Sequence, residues 1–181
     1  MFNIGVKDTT PMGDDRCRFE MARLMISEAL FSNSGDLYGE LYGSGMISGY
    51  GFGWSIERGY SYVSVRGSSD DPEAVFTKFV EYVDKCIEQG IPEEQFVRAR
   101  RVMYARAIRA FESSTDIAEE LFSGFITGTD IFEMAEEIYR IEKSELDEFI
   151  RQVFKPHRYA MSIVLPKDGE DTECGSEEDG E

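Results

Sequence analysis

Gly49-Tyr50-Gly51-Phe52-Gly53-Trp54-Ser55-Ile56 alternates between a bare or small position and a large apolar one. Side chains of a strand point to opposite faces with a period of two. One face of this segment therefore carries Tyr50, Phe52, Trp54 and Ile56, and the other is nearly bare. A bare strand face admits close approach of other backbone or of a ligand. The segment reads as part of a strand over 46–57, joined tightly through Glu57-Arg58-Gly59 to a second strand over 60–67 as a hairpin.

Working outward, Phe2–Asp8 reads as a short strand ending at Thr9-Thr10-Pro11-Met12-Gly13. Asp14 or Asp15 can cap a helix whose apolar positions Phe19, Ala22, Ile26, Ala29 and Leu30 follow helical spacing, and Asn33-Ser34-Gly35 breaks it. A shorter helix is expected over 36–44. Its repeat, Leu37-Tyr38-Gly39-Glu40 then Leu41-Tyr42-Gly43-Ser44, stacks Gly39 over Gly43 as a smooth face suited to close packing.

Downstream, Asp71-Pro72 starts a helix with Phe76, Phe79, Val80, Val83 and Ile87 as its buried face and Gly90 as its stop. Pro92 opens another helix through Phe111. Ser113, Asp130 and Ser144 each precede an acid by three positions, as helix caps do. A last strand is expected over 159–165. The order is strand, two helices, two strands, five helices, strand. That order predicts an α+β fold, a mostly antiparallel sheet of about four strands with helices on one face. No linker-like stretch precedes Lys167, so 1–167 reads as one domain and 168–181 as an acidic, mobile tail.

Of 181 residues, 41% are hydrophobic, enough for a well-formed core. Net charge is −17, and the 168–181 segment holds eight acids and no base, leaving −9 for 1–167. Such a balance argues against a nucleic-acid footprint, which needs a basic face. Cys17, Cys86 and Cys174 are odd in number and widely spaced, which fits a reduced, cytoplasmic setting. Met1 is followed by neither a basic leader nor a long apolar run, and no apolar stretch approaches the ~20 residues that cross a bilayer.

His157 is the one histidine, in Lys155-Pro156-His157-Arg158, and neither HExxH nor HxxEH occurs. A catalytic zinc site needs three protein ligands, so His157 reads as a turn residue. GxSxG is absent. Gly49, Gly51 and Gly53 lie inside a strand rather than between a strand and a helix, which argues against a phosphate cradle. Arg98, Arg101, Arg106 and Arg109 share one broad helix face, which reads as solvated and paired with glutamates, or as a dock for an acidic surface or a peptide carboxylate. Glu119-Glu120 and Glu136-Glu137 read as solvent-facing helix acids, and adjacent positions do not share a face, so neither pair makes an acid/base couple.

The run Met25-Ile26-Ser27-Glu28-Ala29-Leu30-Phe31-Ser32-Asn33-Ser34-Gly35-Asp36-Leu37-Tyr38-Gly39-Glu40-Leu41-Tyr42 resembles the helix–loop–helix of the second domain of pitrilysin/insulinase-family zinc peptidases. The likeness continues through Gly45-Met46-Ile47, Asp71-Pro72-Glu73, Gly90-Ile91-Pro92-Glu93-Glu94-Gln95-Phe96 and Phe154-Lys155-Pro156, and is nearest to the bacterial processing-peptidase-like members. It rests on the order and spacing of these motifs. It implies a non-catalytic, C-terminal-type domain of a larger metallopeptidase, excised or separately encoded. In that family an HxxEH-bearing domain supplies zinc, and paired halves enclose a peptide. The expected partners are therefore an HxxEH-bearing domain or subunit and a peptide substrate, with no nucleic acid, no membrane and a dimer left open. Zinc is expected only in the partner, with no cofactor in this chain.

Many competent relatives place an Arg and a Tyr near the helix-to-strand junction to hold substrate. In the matching string Leu41-Tyr42-Gly43-Ser44-Gly45-Met46-Ile47-Ser48, Tyr42 stands where the Arg is expected and Tyr50 lies nearest the Tyr position. That pair is not carried over directly. Tyr42, Tyr50, Phe52 and Trp54 are the candidate substrate contacts, from the aromatic/glycine alternation together with the likeness. For Phe52 and Trp54 a place in the core competes with that role, since aromatics dominate core burial. The alternative function is a structural or assembly module with no peptidase role.

Overall fold

In the computed structural model the described residues are 1–13, 15–57 and 59–165, so the acidic segment expected at 168–181 lies outside them. Four strands, β1 (Phe2–Asp8), β2 (Gly49–Glu57), β3 (Tyr60–Ser68) and β4 (Tyr159–Ile163), form one sheet in the order β2-β3-β1-β4. Every pairing is antiparallel, and β2 and β4 are its edges. The helices are α1 (Arg16–Phe31), α2 (Asp36–Gly43), α3 (Pro72–Gln89), α4 (Glu93–Arg109), α5 (Ser114–Thr127), α6 (Ile131–Arg140) and α7 (Lys143–Val153). A short 3-10 turn, Ala110–Glu112, links α4 to α5. The element order and the α+β class are as the sequence predicts.

Alternation assigns the faces of the sheet. Phe52, Val65, Ile4 and Met161 form one inner row, and Trp54, Val63, Val6 and Tyr159 form the next. Between them, on the helix-free face, lie Gly53, Ser64, Gly5 and Ala160. The bare side of β2 therefore faces away from the helices. Arg66 lies against Gly51, with its Nε 3.2 Å from where a Cβ would stand, and nothing comes within 4 Å of such an atom at Gly53. The close approach expected on this face is thus made by the Arg66 side chain at Gly51 and, more loosely, by Ser68 at Gly49, with Oγ at 3.8 Å and N at 4.0 Å.

Caps fix the helix starts. Asp15, Asp71, Ser113 and Asp130 each accept a backbone N–H of the first turn. At α7 the cap is Glu142 rather than Ser144, in a reciprocal arrangement with Glu145. Gly39 and Gly43 meet nothing within 4 Å, and it is Leu37 and Leu41 on the other side of α2 that pack. Their smooth face is open to solvent, contrary to the close packing expected of it.

The core sits between the sheet and α1, which is buried on nearly every side. A helix flanked by a sheet and by other helices has no free face, so its few polar residues are enclosed with it. Arg23 is the extreme case. Its Nε donates to Asp8 Oδ2 at 2.9 Å, with both side chains fully buried. Its guanidinium carbon stands 3.3 Å from the centroid of the Phe19 ring and 4.7 Å from that of Phe149. Burial pulls the Arg23 pKa below its ordinary value, and the Asp8 carboxylate opposes that pull. On the other side of α1, Arg18 grips Glu145 through two nitrogens and Glu137 through a third, tying α1 to α6 and α7, so Glu137 is buried rather than solvent-facing as expected. No helix among the described residues is long and apolar enough to cross a membrane.

Candidate functional site

A cleft of about 620 Å³ opens beside β2, bounded by α1, β2, α4, the 3-10 turn, α5 and α6. The helical periodicity of α1 places Glu20, Leu24, Ser27 and Glu28 along it, since positions three and four apart share a face. The period-two alternation of β2 directs Phe52, Trp54 and Ile56 to it. Met103 and Arg106 of α4 close another side. β2 is an edge strand, and the described backbone hydrogen bonds give its nine residues no partner other than β3. Such an edge is a template for pairing with another extended chain.

The four candidate residues are divided by the fold. Phe52 and Trp54 line the cleft. Trp54 is buried, its Nε1 donates to Ser61 Oγ at 2.8 Å, and its ring meets Phe154 edge-on. Tyr42 and Tyr50 lie outside the cleft, in an aromatic ladder. Tyr42, exposed on α2, stacks on Tyr38 at 5.3 Å; Tyr38 meets Tyr50 edge-on at 5.2 Å; Tyr50 leads to Phe52 at 6.4 Å. Burial raises the Tyr50 hydroxyl well above its ordinary pKa, so this phenol stays protonated. Only Phe52 belongs to both the ladder and the cleft wall.

The cleft also holds polar groups that composition and motif searches pass over. Glu28 is buried, and Arg106 Nη2 stands 3.0 Å from its Oε2 without an aligned hydrogen bond. Ser27 Oγ beside it is buried with no hydrogen-bond partner among the described residues. The available signal was an acid inside the apolar run Met25-Ile26-Ser27-Glu28-Ala29-Leu30. On a sequence alone such an acid reads as a solvent-side helix residue. On the arginine face of α4, Arg101, Arg106 and Arg109 are exposed as expected, Arg106 standing beside Glu28, and Arg98 is the exception. Arg98 donates to Ser34 O at 2.7 Å and to Ala29 O at 3.4 Å, covering the carbonyl end of α1.

His157 is exposed in the 3-10 turn before β4. No group of three or more metal-ligating side chains lies together among the described residues. A lone exposed imidazole does not fit a catalytic zinc, which needs three protein ligands.

The chain is 22% identical over 167 residues to the zinc protease YmfH of Bacillus subtilis, a match covering 91% of this chain and 39% of YmfH. The solved structure of an M16-like peptidase from Alicyclobacillus acidocaldarius superimposes with a TM-score of 0.84 at 18% identity, over 92% of this chain and 40% of that one. The fold is that of an M16-like peptidase domain. The inactive peptidase domain of a zinc protease from Bordetella parapertussis matches it over 92% of each chain, with a TM-score of 0.76 at 12% identity. No family model matches the chain. These findings bear out the likeness to pitrilysin/insulinase-family peptidases, including their inactive domains. The chain spans about two fifths of the length of YmfH and of the Alicyclobacillus peptidase.

Proposed function

We propose that this domain is a non-catalytic part of a zinc-metallopeptidase-like protein. In this reading it helps to enclose and bind a peptide and packs against a zinc-bearing HxxEH domain or subunit. The observation that carries the reading is the unpaired nine-residue edge of β2 running beside an aromatic-walled cleft. Main-chain hydrogen bonds to a sheet edge supply affinity for an extended peptide, and pockets for alternate side chains supply selectivity. Support for packing comes from α5, whose Phe122 and Phe125 are 67% and 89% exposed. Large apolar side chains held in water mark a surface that another protein covers. Bond breaking belongs to the partner, whose zinc would activate water.

Trp54 is the sole tryptophan of the chain and lines the cleft, so its emission reports directly on occupancy. Titration with tryptophan-free extended peptides is expected to shift that emission saturably. Methylating alternate backbone nitrogens of the peptide should weaken binding, because it removes the donors that pair with β2. Unchanged emission at millimolar peptide would leave the assembly-module reading in its place. Cleavage of peptides by this chain with added zinc, abolished by a chelator, would show that the catalytic role had been given to the wrong polypeptide.

A further inference from the structure

The cleft is lined by three carboxylates, Glu20, Glu28 and Glu120, against one arginine, Arg106. Glu20 is already engaged: Arg16 holds one oxygen at 2.6 Å, and Thr129 Oγ1 donates to the other at 3.1 Å. Glu28 is held differently. Its side chain is 5% exposed while that of Arg106 is 58% exposed, so a buried acid is matched by a base that lies mostly in water. The 3.0 Å approach at Oε2 is not an aligned hydrogen bond. A carboxylate has about four lone-pair sites, and one misaligned contact leaves most of them for a second donor. Ser27 Oγ, the next residue on α1, is a further buried acceptor without a partner among the described residues. Leu24, Phe52, Trp54 and Met103 supply apolar wall to the same cleft.

We infer that the cleft is a subsite for the basic side chain, lysine or arginine, of a peptide lying along β2, with Glu28 as its counterion. Ser27 Oγ accepts a second hydrogen bond from the same cationic head. The apolar walls take the aliphatic stem, which lysine and arginine bury readily, and the ring faces of Phe52 and Trp54 favour a cation over a neutral group. Arg106 is the intramolecular competitor, exposed and held besides only by a weak bond from Nη1 to Met103 Sδ at 3.8 Å, which it gives up when the ligand arrives. The inference deepens the proposed peptide-binding role and rests on it.

The test uses the full chain and three short tryptophan-free peptides that differ at one central residue: lysine, norleucine or glutamate. Binding is followed by Trp54 emission at about 0.15 M salt, where distant charges are screened. The lysine peptide is expected to bind at least about tenfold more tightly than the norleucine peptide. Glu28→Gln should erase that preference, so that the lysine and norleucine peptides bind alike. Arg106→Ala, at an exposed position, should tighten the lysine peptide several-fold by removing the competing cation. With a net charge of −17 any basic peptide is attracted to this protein, and Glu28→Gln changes that charge by one. A lysine preference that survives Glu28→Gln therefore belongs to the general acidic surface and overturns the inference. Tightest binding by the glutamate peptide, lost in Arg106→Ala, overturns it as well. Equal binding of all three peptides removes the subsite but keeps the peptide-binding reading, whereas no binding by any of them removes both. If Glu28→Gln fails to fold, Arg106→Ala decides: tighter lysine binding supports the subsite, and no change refutes it.

Discussion

Removing either partner of the Asp8–Arg23 pair is expected to be among the most damaging single changes in this domain. The pair joins the end of the central strand to the central helix, and both side chains are fully buried. With Asp8 replaced by Ala, Arg23 keeps one hydrogen bond, from Nη1 to Phe19 O at 3.3 Å, together with its aromatic neighbours. Thr10 N and Ser61 Oγ lose their acceptor in the same change. An uncompensated buried charge of this kind costs about 3–5 kcal/mol, a large share of the roughly 5–15 kcal/mol that stabilises a domain. With a urea slope of about 2 kcal/mol per molar, the midpoint should fall by roughly 1.5–2.5 M. Arg23→Met should shift it by a similar amount, because the Asp8 carboxylate is then stranded. The double variant Asp8→Leu/Arg23→Met removes both charges and should lie within about 1 kcal/mol of the parent or above it. Urea unfolding followed by far-ultraviolet circular dichroism, at unchanged slope, measures all three. Single variants that move the midpoint by less than about 0.5 M, or a double variant as unstable as the two singles summed, would refute the coupling.

Four further outcomes follow from the geometry and from burial. Gly39→Ala, in open space within α2, should raise stability by about 0.5–1 kcal/mol. Gly124→Ala should lower it by about 2 kcal/mol, since the added Cβ would stand 2.3 Å from Thr129 O; thermal unfolding separates the two cases. Ser61→Ala strands the Trp54 indole N–H in the core and should cost about 1–3 kcal/mol, with a blue-shifted Trp54 emission; an unchanged urea midpoint would contradict it. Burial pushes the Cys17 and Cys86 thiols up to about 12 and about 11 from an ordinary 9.0, and burial likewise raises the Tyr82 and Tyr159 phenols. The unfolded chain therefore loses these protons first, so stability is fully present below pH 9 and falls as pH rises towards 11. A urea midpoint that is flat or rising across that range would contradict the assignment.

Much of the fold was legible because its signals are local. The alternation around Trp54 assigns both faces of β2, and the Asp71-Pro72 and Gly90 signals bound α3 as observed. The buried face of α3 is turned slightly from the expected one: Val75, Tyr82 and Cys86 lie inside, while Phe76, Val80 and Ile87 are partly covered. Neighbouring stripes on a helix overlap, and what packs against them decides which is deeper. The candidate site was legible only in part. Phe52 and Trp54 reach the cleft, Tyr42 and Tyr50 do not, and Glu28 was passed over as one helix acid among many.

Strand and helix periods, cap residues and turn glycines were set by the sequence by itself, because each depends on dihedral preferences and side-chain spacing within a few residues. It also carried the order of motifs that marks the likeness to M16-like peptidases. Only the tertiary structure decided that β2 is an edge, that α1 is enclosed, and that Arg23 and Glu28 are buried while most other charges stay in water. The physical reason is that burial of a charge depends on which distant segments surround it. A helical wheel gives the direction in which a side chain points and leaves open what it meets there.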